Sequence, residues 1–276
     1  MQKILVTTDY SSNSKSGIRF AIQLAKKMSC EIVFYHVFEG IDNNNWIVDK
    51  TESDEHKIRL EKLKKFVTTI YKANHLRINK FTCVVETGID VNNLINNYAK
   101  KNKCDFIFIS TRGAGILKKL LGTTTSWLIQ HSTIPLIVVP KNYRIKPIQD
   151  VWYSSDLASL KNELSIVQNF AKPFKANIHV YHYDYMIELE EVLNNLNKIA
   201  AKHITKGTFF HFRKMKIDKT ISEHLQSDMS KHKPSIVVLF TKQNKTWYDK
   251  IFLRNNTSEV SFDTKTPLLI LRKNAK

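Results

Sequence analysis

Asp105 to Pro140, DFIFISTRGAGILKKLLGTTTSWLIQHSTIPLIVVP, reads as a strand, a glycine-bearing segment, a helix start and a second strand. DFIFIS (Asp105 to Ser110) and PLIVV (Pro135 to Val139) are short, nearly continuous apolar runs. That is the pattern of strands buried on both faces of a parallel sheet. Toward the N-terminus the same punctuation recurs. KILVTT (Lys3 to Thr8) and EIVFYHV (Glu31 to Val37) are two more strands, and Phe81 to Glu86 is a third. From Ser14 onward, Ile18, Ala21, Ile22 and Ala25 keep helical spacing, and Asp9 or a nearby serine can cap that helix. A polar, Asn-rich loop is expected from Gly40 to Asp54, then a helix with Leu63, Phe66, Val67 and Ile70 on one face. Val91, Leu94, Ile95, Tyr98 and Ala99 mark the next helix. Strands separated by helices need crossover connections, so the reading is a doubly wound, Rossmann-like α/β fold with a parallel sheet.

The second half repeats the first. VWYSSDLAS (Val151 to Ser159) echoes LVTTDYSS, and ANIHVYHY (Ala176 to Tyr183) echoes CEIVFYHV, with His182 in the place of His36. SIVVLFT (Ser235 to Thr241) echoes DFIFIST, and TKTPLLILRK (Thr264 to Lys273) echoes HSTIPLIVVPK. The second copy is shorter, in part because it has no Asn-rich loop after its second strand. The expected fold class is therefore α/β with two tandem, doubly wound, parallel five-stranded sheets. They occupy residues 1–142 and 148–276 and are joined by a basic linker around Lys141 to Ile148 that contains Pro147.

Composition narrows the classes. A 276-residue chain with 42% hydrophobic and 25% charged residues is globular in type. No apolar run approaches the roughly 20 residues of a membrane span, and MQKILVTTDYSS has no leader-type apolar core, so a cytoplasmic protein with no membrane partner is expected. Cys30, Cys83 and Cys104 have neither disulfide-framework nor metal-ligand spacing, and buried reduced thiols are the plain reading. The net charge of +18 would suit a nucleic-acid binder. However, Lys and Arg are spread over both halves, with only short clusters, and no nucleic-acid-binding signature occurs. The charge is read as compositional, and nucleic acid is not the expected partner.

In open α/β sheets, ligands bind outside the carboxyl ends of the strands, where strand order reverses. The polar residues there are Thr7, Thr8 and Asp9 after the first strand, His36 and Val37 at the end of the second, and Ser110, Thr111, Arg112 and Gly113 after the fourth. Gly113 and Gly115 would let a loop approach a ligand closely. Gly122 followed by Thr123, Thr124 and Thr125 would offer free N–H groups and hydroxyls at a helix start, a phosphate cradle. No Walker P-loop occurs, nor a Gly-rich fingerprint after the first strand.

TTDYS after the first strand, HV in the second, the glycine-bearing segment and the closing STIPLIVVP together resemble the universal stress protein family. In that family a G-x2-G-x9-G-[ST] motif lies between the fourth and fifth strands. The resemblance implies an adenine nucleotide-hydrolase-like fold that binds ATP, AMP or ADP. It places Asp9 at the adenine and ribose end beside Thr7 and Thr8, gives Val37 backbone hydrogen bonds to the adenine edge, and sets Arg112 near the phosphates. Gly113 matches the motif's second glycine, and Gly122 with Thr123 matches its final pair, followed by Thr124. Ser110 stands where the motif has its first glycine, and the segment from Gly113 to Gly122 is one residue short of the pattern. A Mg²⁺ accompanying the nucleotide would rest on phosphate oxygens and water.

The corresponding segment of the second half, Thr241 to Phe262, contains no glycine, and Tyr183 stands at the Val37 position. A second domain that binds no nucleotide is expected, acting as a partner of the first by intramolecular pairing, with a homodimer as the other arrangement. Neither half shows a Ser–His–Asp set, paired carboxylates or a metal cluster at the glycine segment, so catalysis is not expected; weak ATP hydrolysis, seen in parts of the family, stays open. His36 reads as a packed or interfacial histidine rather than a metal ligand or base. The competing readings are a nucleotide-free interaction scaffold of the same fold and an adenylate-forming or pyrophosphatase enzyme. The latter would need a glycine loop after the first strand, which TTDYSSNS lacks.

Overall fold

The apolar runs form strands because each can be buried on both faces, between helices that cross from one strand to the next. The computed structural model describes residues 1–39, 48–78, 80–111, 123–241 and 265–273. The chain divides into two compact units between Ile145 and Lys146.

In the first unit the elements run β1 (Lys3–Thr7), α1 (Ser14–Met28), β2 (Glu31–Phe38), α2 (Val48–Ala73), β3 (Phe81–Thr87), α3 (Val91–Lys101), β4 (Phe106–Ser110), α4 (Thr123–His131) and β5 (Leu136–Val139). The strand order is β3-β2-β1-β4-β5, with all neighbours parallel. The order therefore reverses between β1 and β4. Helices α1 and α2 pack on one face, and α3 and α4 on the other. Ile4, Leu5, Val6, Phe34, Ile107 and Phe108 are fully buried between these layers. Burying each such side chain contributes about 1.5–3 kcal/mol.

Helix α2 begins at Val48, inside the stretch that its polarity marks as loop. The polarity belongs instead to a solvated helix, where Arg59 pairs with Glu55 at 2.9 Å and Lys57 with Asp54 at 3.6 Å. The linker residue Tyr143 is buried against α1. Its ring meets Phe20 edge-on at 4.9 Å and its hydroxyl donates to Gln23 Oε1 at 2.7 Å.

The second unit runs β6 (Asp150–Ser154), α5 (Leu160–Ala171), β7 (Asn177–Asp184), α6 (Glu190–Ala201), β8 (Thr208–Lys214), α7 (Ile221–His232), β9 (Ile236–Thr241) and β10 (Leu268–Arg272). Its strand order is β8-β7-β6-β9-β10, again all parallel. Helix α7 opens with a capping box in which Thr220 Oγ1 and the Glu223 side chain exchange hydrogen bonds with each other's backbone N–H. Cys104 is buried, and Cys30 and Cys83 are half-buried. Desolvation pushes all three thiols up to about 11.

Candidate functional site

At the carboxyl ends of β1, β2 and β4, where the strand order reverses, a cleft opens on the face covered by α3 and α4. Thr7, Thr8, Asp9, Val37, Ser110, Thr123 and Thr124 all line it. Arg112, Gly113, Gly115 and Gly122, the other residues of the expected site, lie outside the described residues. Its apolar wall is Val91 and Ile95 of α3 with Ile109 of β4. The sequence pattern marks Val91 and Ile95 only as one face of a helix. Their i, i+4 spacing directly after a strand end is the signal that they also face a ligand position.

Thr7, Thr8, Asp9 and Ser110 are each held by a hydrogen bond. Thr7 Oγ1 donates to the Phe108 carbonyl at 3.1 Å, tying β1 to β4. Thr8 Oγ1 meets Ser14 Oγ at 2.8 Å and accepts the Tyr10 N–H at 3.1 Å, and Tyr10 takes a left-handed φ of 60°. Asp9 does not cap α1. Its Oδ1 accepts the Ser11 N–H at 3.0 Å in an Asx-turn, and the N-cap is Asn13, with no side-chain cap bond. Desolvation pushes the Asp9 carboxyl up, but its hydrogen bonds from Ser11 and Ser14 outweigh that and hold it below the usual carboxylate range. Asp9 is thus an exposed carboxylate at neutral pH.

His36 is a pin. Its Nδ1 lies 2.8 Å from the Thr8 carbonyl, which can only accept, so Nδ1 carries the proton. Tyr10 covers the ring at 4.2 Å. Burial holds His36 below its ordinary pKa; the Thr8 bond opposes this, and Arg59 and Lys62 add to it. The imidazole is neutral and committed to the backbone, consistent with a packed histidine.

Val37 has a different role. Tyr35, two residues earlier, turns its backbone groups toward β1, where its carbonyl accepts the Thr8 N–H at 3.0 Å. Backbone direction alternates along a strand, so Val37 also turns its N–H and carbonyl toward β1. But β1 has ended at Thr7, and among the described residues no backbone group continues the ladder there. One donor and one acceptor therefore face the cleft side by side. Below them, Tyr35 stacks obliquely on Tyr98 at 4.7 Å and donates its hydroxyl to the Glu86 carboxylate. Burial, then Glu86, raises the Tyr35 phenol well above its ordinary value.

Ser110 lines the cleft, but its side chain turns away from it. Its Oγ accepts the Gly17 N–H of α1 at 2.8 Å, and a Cβ on Gly17 would sit 2.7 Å from that oxygen. The hydroxyl uses the space of a missing side chain on α1, so it does not crowd the ligand side. The same bond occupies one of the N–H groups at the α1 N-terminus. The Ser14 N–H goes to Ser11 Oγ at 3.2 Å and the Ser16 N–H to the Asn13 carbonyl at 3.0 Å. The other helix start on the cleft is α4, at Thr123, Thr124 and buried Thr125.

A family model for the universal stress protein family matches residues 1–140. The chain belongs to the universal stress protein family. No curated protein matches the sequence. Among solved structures, a universal stress protein from Archaeoglobus fulgidus is similar over 98% of this chain and 96% of its own, at 16% identity and a TM-score of 0.67. A putative universal stress protein from Pseudomonas aeruginosa is similar over 99% of this chain and 93% of its own, at 12% identity and a TM-score of 0.62. These two full-length likenesses establish the tandem universal stress protein fold. A universal stress protein family protein from Arabidopsis thaliana, solved with AMP bound, aligns with 51% of this chain and 93% of its own, at 17% identity and a TM-score of 0.35.

Proposed function

We propose that the first unit binds an adenine nucleotide, ATP or its AMP and ADP relatives, and that the protein uses this binding for regulation under stress rather than for catalysis. The observation that carries the reading is the Val37 backbone pair facing the cleft. A donor beside an acceptor matches the N1 and N6 edge of adenine, and Val91, Ile95 and Ile109 supply an apolar wall for a flat base. Asp9, ionised and with no ion pair among the described residues, suits the ribose end as a hydrogen-bond acceptor. Phosphates would lie toward α4, because the Ser14, Ser16 and Gly17 N–H groups of α1 are already occupied and the threonine-rich start of α4 offers donors. Arg112, Gly113 and Gly122 would complete that side. Among the described residues no three His, Cys, Asp or Glu side chains are arranged to hold a metal, so Mg²⁺ would arrive on the phosphates. The second unit is proposed as a partner that binds no nucleotide, in a cytoplasmic protein whose units pair within one chain or as a homodimer.

The test is calorimetric titration of ATP with Mg²⁺ into the wild type, Val37→Tyr and Gly122→Arg. One ATP per chain is expected, with binding lost in both variants. No binding to the wild type at millimolar ATP would overturn the reading and leave a nucleotide-free scaffold.

A further inference from the structure

The second unit repeats four hydrogen bonds of the strand-end frame of the first. The Ser155 N–H donates to the Tyr181 carbonyl at 2.9 Å, as Thr8 does to Tyr35 at 3.0 Å. Ser155 Oγ accepts the Leu157 N–H at 3.0 Å, and Leu157 is left-handed at φ 62°, as Tyr10 is at 60°. Asp156 Oδ1 accepts the Ala158 N–H at 3.1 Å in the same Asx-turn as Asp9. His182 Nδ1 lies 2.9 Å from the Ser155 carbonyl, as His36 does from Thr8. The backbone at position 183 is therefore oriented as at Val37, beyond the end of β6.

The side chains on this frame differ from those of the first unit in size and in charge pairing. Tyr183, in the place of Val37, is buried and donates its hydroxyl to Asp228 of α7 at 2.9 Å. Lys273 corresponds to the exposed Lys141 of the first unit. Its ammonium lies 2.7 and 2.6 Å from the two oxygens of Asp156 and 3.3 Å from Glu163 Oε1. Glu163 is only 4% exposed, and its Oε1 has no hydrogen-bond partner, so that ion pair is its compensation. The other Glu163 oxygen accepts the Tyr153 hydroxyl, to which Ser155 Oγ donates at 2.8 Å.

We infer that the second unit retains the same strand-end cleft, closed from inside: the Tyr183 ring fills the base slot and the Lys273 ammonium takes the place of a ligand against Asp156. The unit is occluded and not dismantled. This rests on the proposed adenine reading of Val37. It adds that the binding frame persists in the second unit and can be uncovered by removing two side chains.

Adenosine is the probe, because it needs the frame and not a phosphate loop. It is titrated into the full-length wild type, Tyr183→Val, and the triple variant Tyr183→Val, Lys273→Gln, Glu163→Gln. The glutamine at 163 prevents loss of the ammonium from stranding a buried carboxylate. One adenosine per wild-type chain and two per triple-variant chain are expected, with Tyr183→Val between them in second-site affinity. A folded triple variant that still binds one overturns the inference. Photolabelling of the wild type with 8-azidoadenosine guards against a variant that fails to fold: label on peptides carrying Asp156 or Tyr183 would show an open second cleft and likewise overturn it. A wild type that binds none beside a triple variant that binds one would sink the first-unit reading and keep this one. If neither binds, both fall.

Discussion

At position 17 a methyl group would land 2.7 Å from the Ser110 hydroxyl, which itself holds the Gly17 N–H. Two effects compete there. Alanine gains up to about 1 kcal/mol over glycine in a helix, while overpacking costs about 1–3 kcal/mol. The clash should win, so Gly17→Ala is expected to lower stability by about 1 kcal/mol in urea denaturation. In a Ser110→Gly background the same change should become neutral or stabilising; if it stays destabilising there, the clash is not the cause. At Lys273 the stakes are larger, because removing one partner of a buried ion pair costs about 3–5 kcal/mol. Lys273→Met should therefore destabilise the second unit by roughly 3 kcal/mol, with most of the loss recovered when Glu163→Gln is added. At this scale the sequence was an uneven guide. Asp9, Val37 and Ser110 are legible as rim positions because they follow strand ends. That Ser110 points at α1, and that Glu163 meets Lys273 from 110 positions away, depends on packing that no local pattern carries.

The elements most readable in advance are those with an apolar run bounded by turn residues. β1, β2, β4, β5, β6, β7, β9 and β10 all announce themselves in this way. β8, TFFHFRK, is missed because its histidine, arginine and lysine break the apolar pattern of an inner strand, as suits a strand with one neighbour. α2 begins early for the opposite reason: charge, not apolar spacing, fills its first turns. The β7–β8 pairing carries a pH dependence. His211 Nε2 lies 2.9 Å from His179 Nδ1, whose other nitrogen is 3.2 Å from Asp150 Oδ1. Burial pushes His211 down to about 4, with His179, Arg213 and His232 adding to the shift and Asp228 opposing it. The folded pKa lies below that of the unfolded chain, so the unfolded state takes up a proton that the folded state refuses. The resulting stability is complete above about 6.5 and declines as pH falls toward about 4. Urea midpoints should drop across that window in the wild type and less steeply in His211→Gln; parallel slopes would count against it. The capping box of α7 gives a smaller test. Thr220→Ala should cost about 1 kcal/mol, with faster amide exchange in the first turn of α7.

For the molecule as a whole, the proposed binding should leave an asymmetric trace. With ATP at a hundredfold excess over Kd, the liganded unit gains about 2.7 kcal/mol. Hydrogen exchange should slow around Thr8 to Ser14, the end of β2 and the start of α4, and stay unchanged in the second unit. Protection of both units would contradict a closed second cleft. The turn that Tyr10 and Leu157 share has a consequence of its own. Neither residue favours the left-handed region, which costs a non-glycine residue about 1–2 kcal/mol, yet both adopt it, held by the same serine or threonine oxygen and the same aspartate. The residue-level signature of the family fades after position 140, while this pattern of hydrogen bonds continues through the second copy. The lettering of a repeated turn can differ while its hinge pins stay the same. Where the letters of two halves differ, their likeness can still be read from which awkward dihedral angle both have declined to give up.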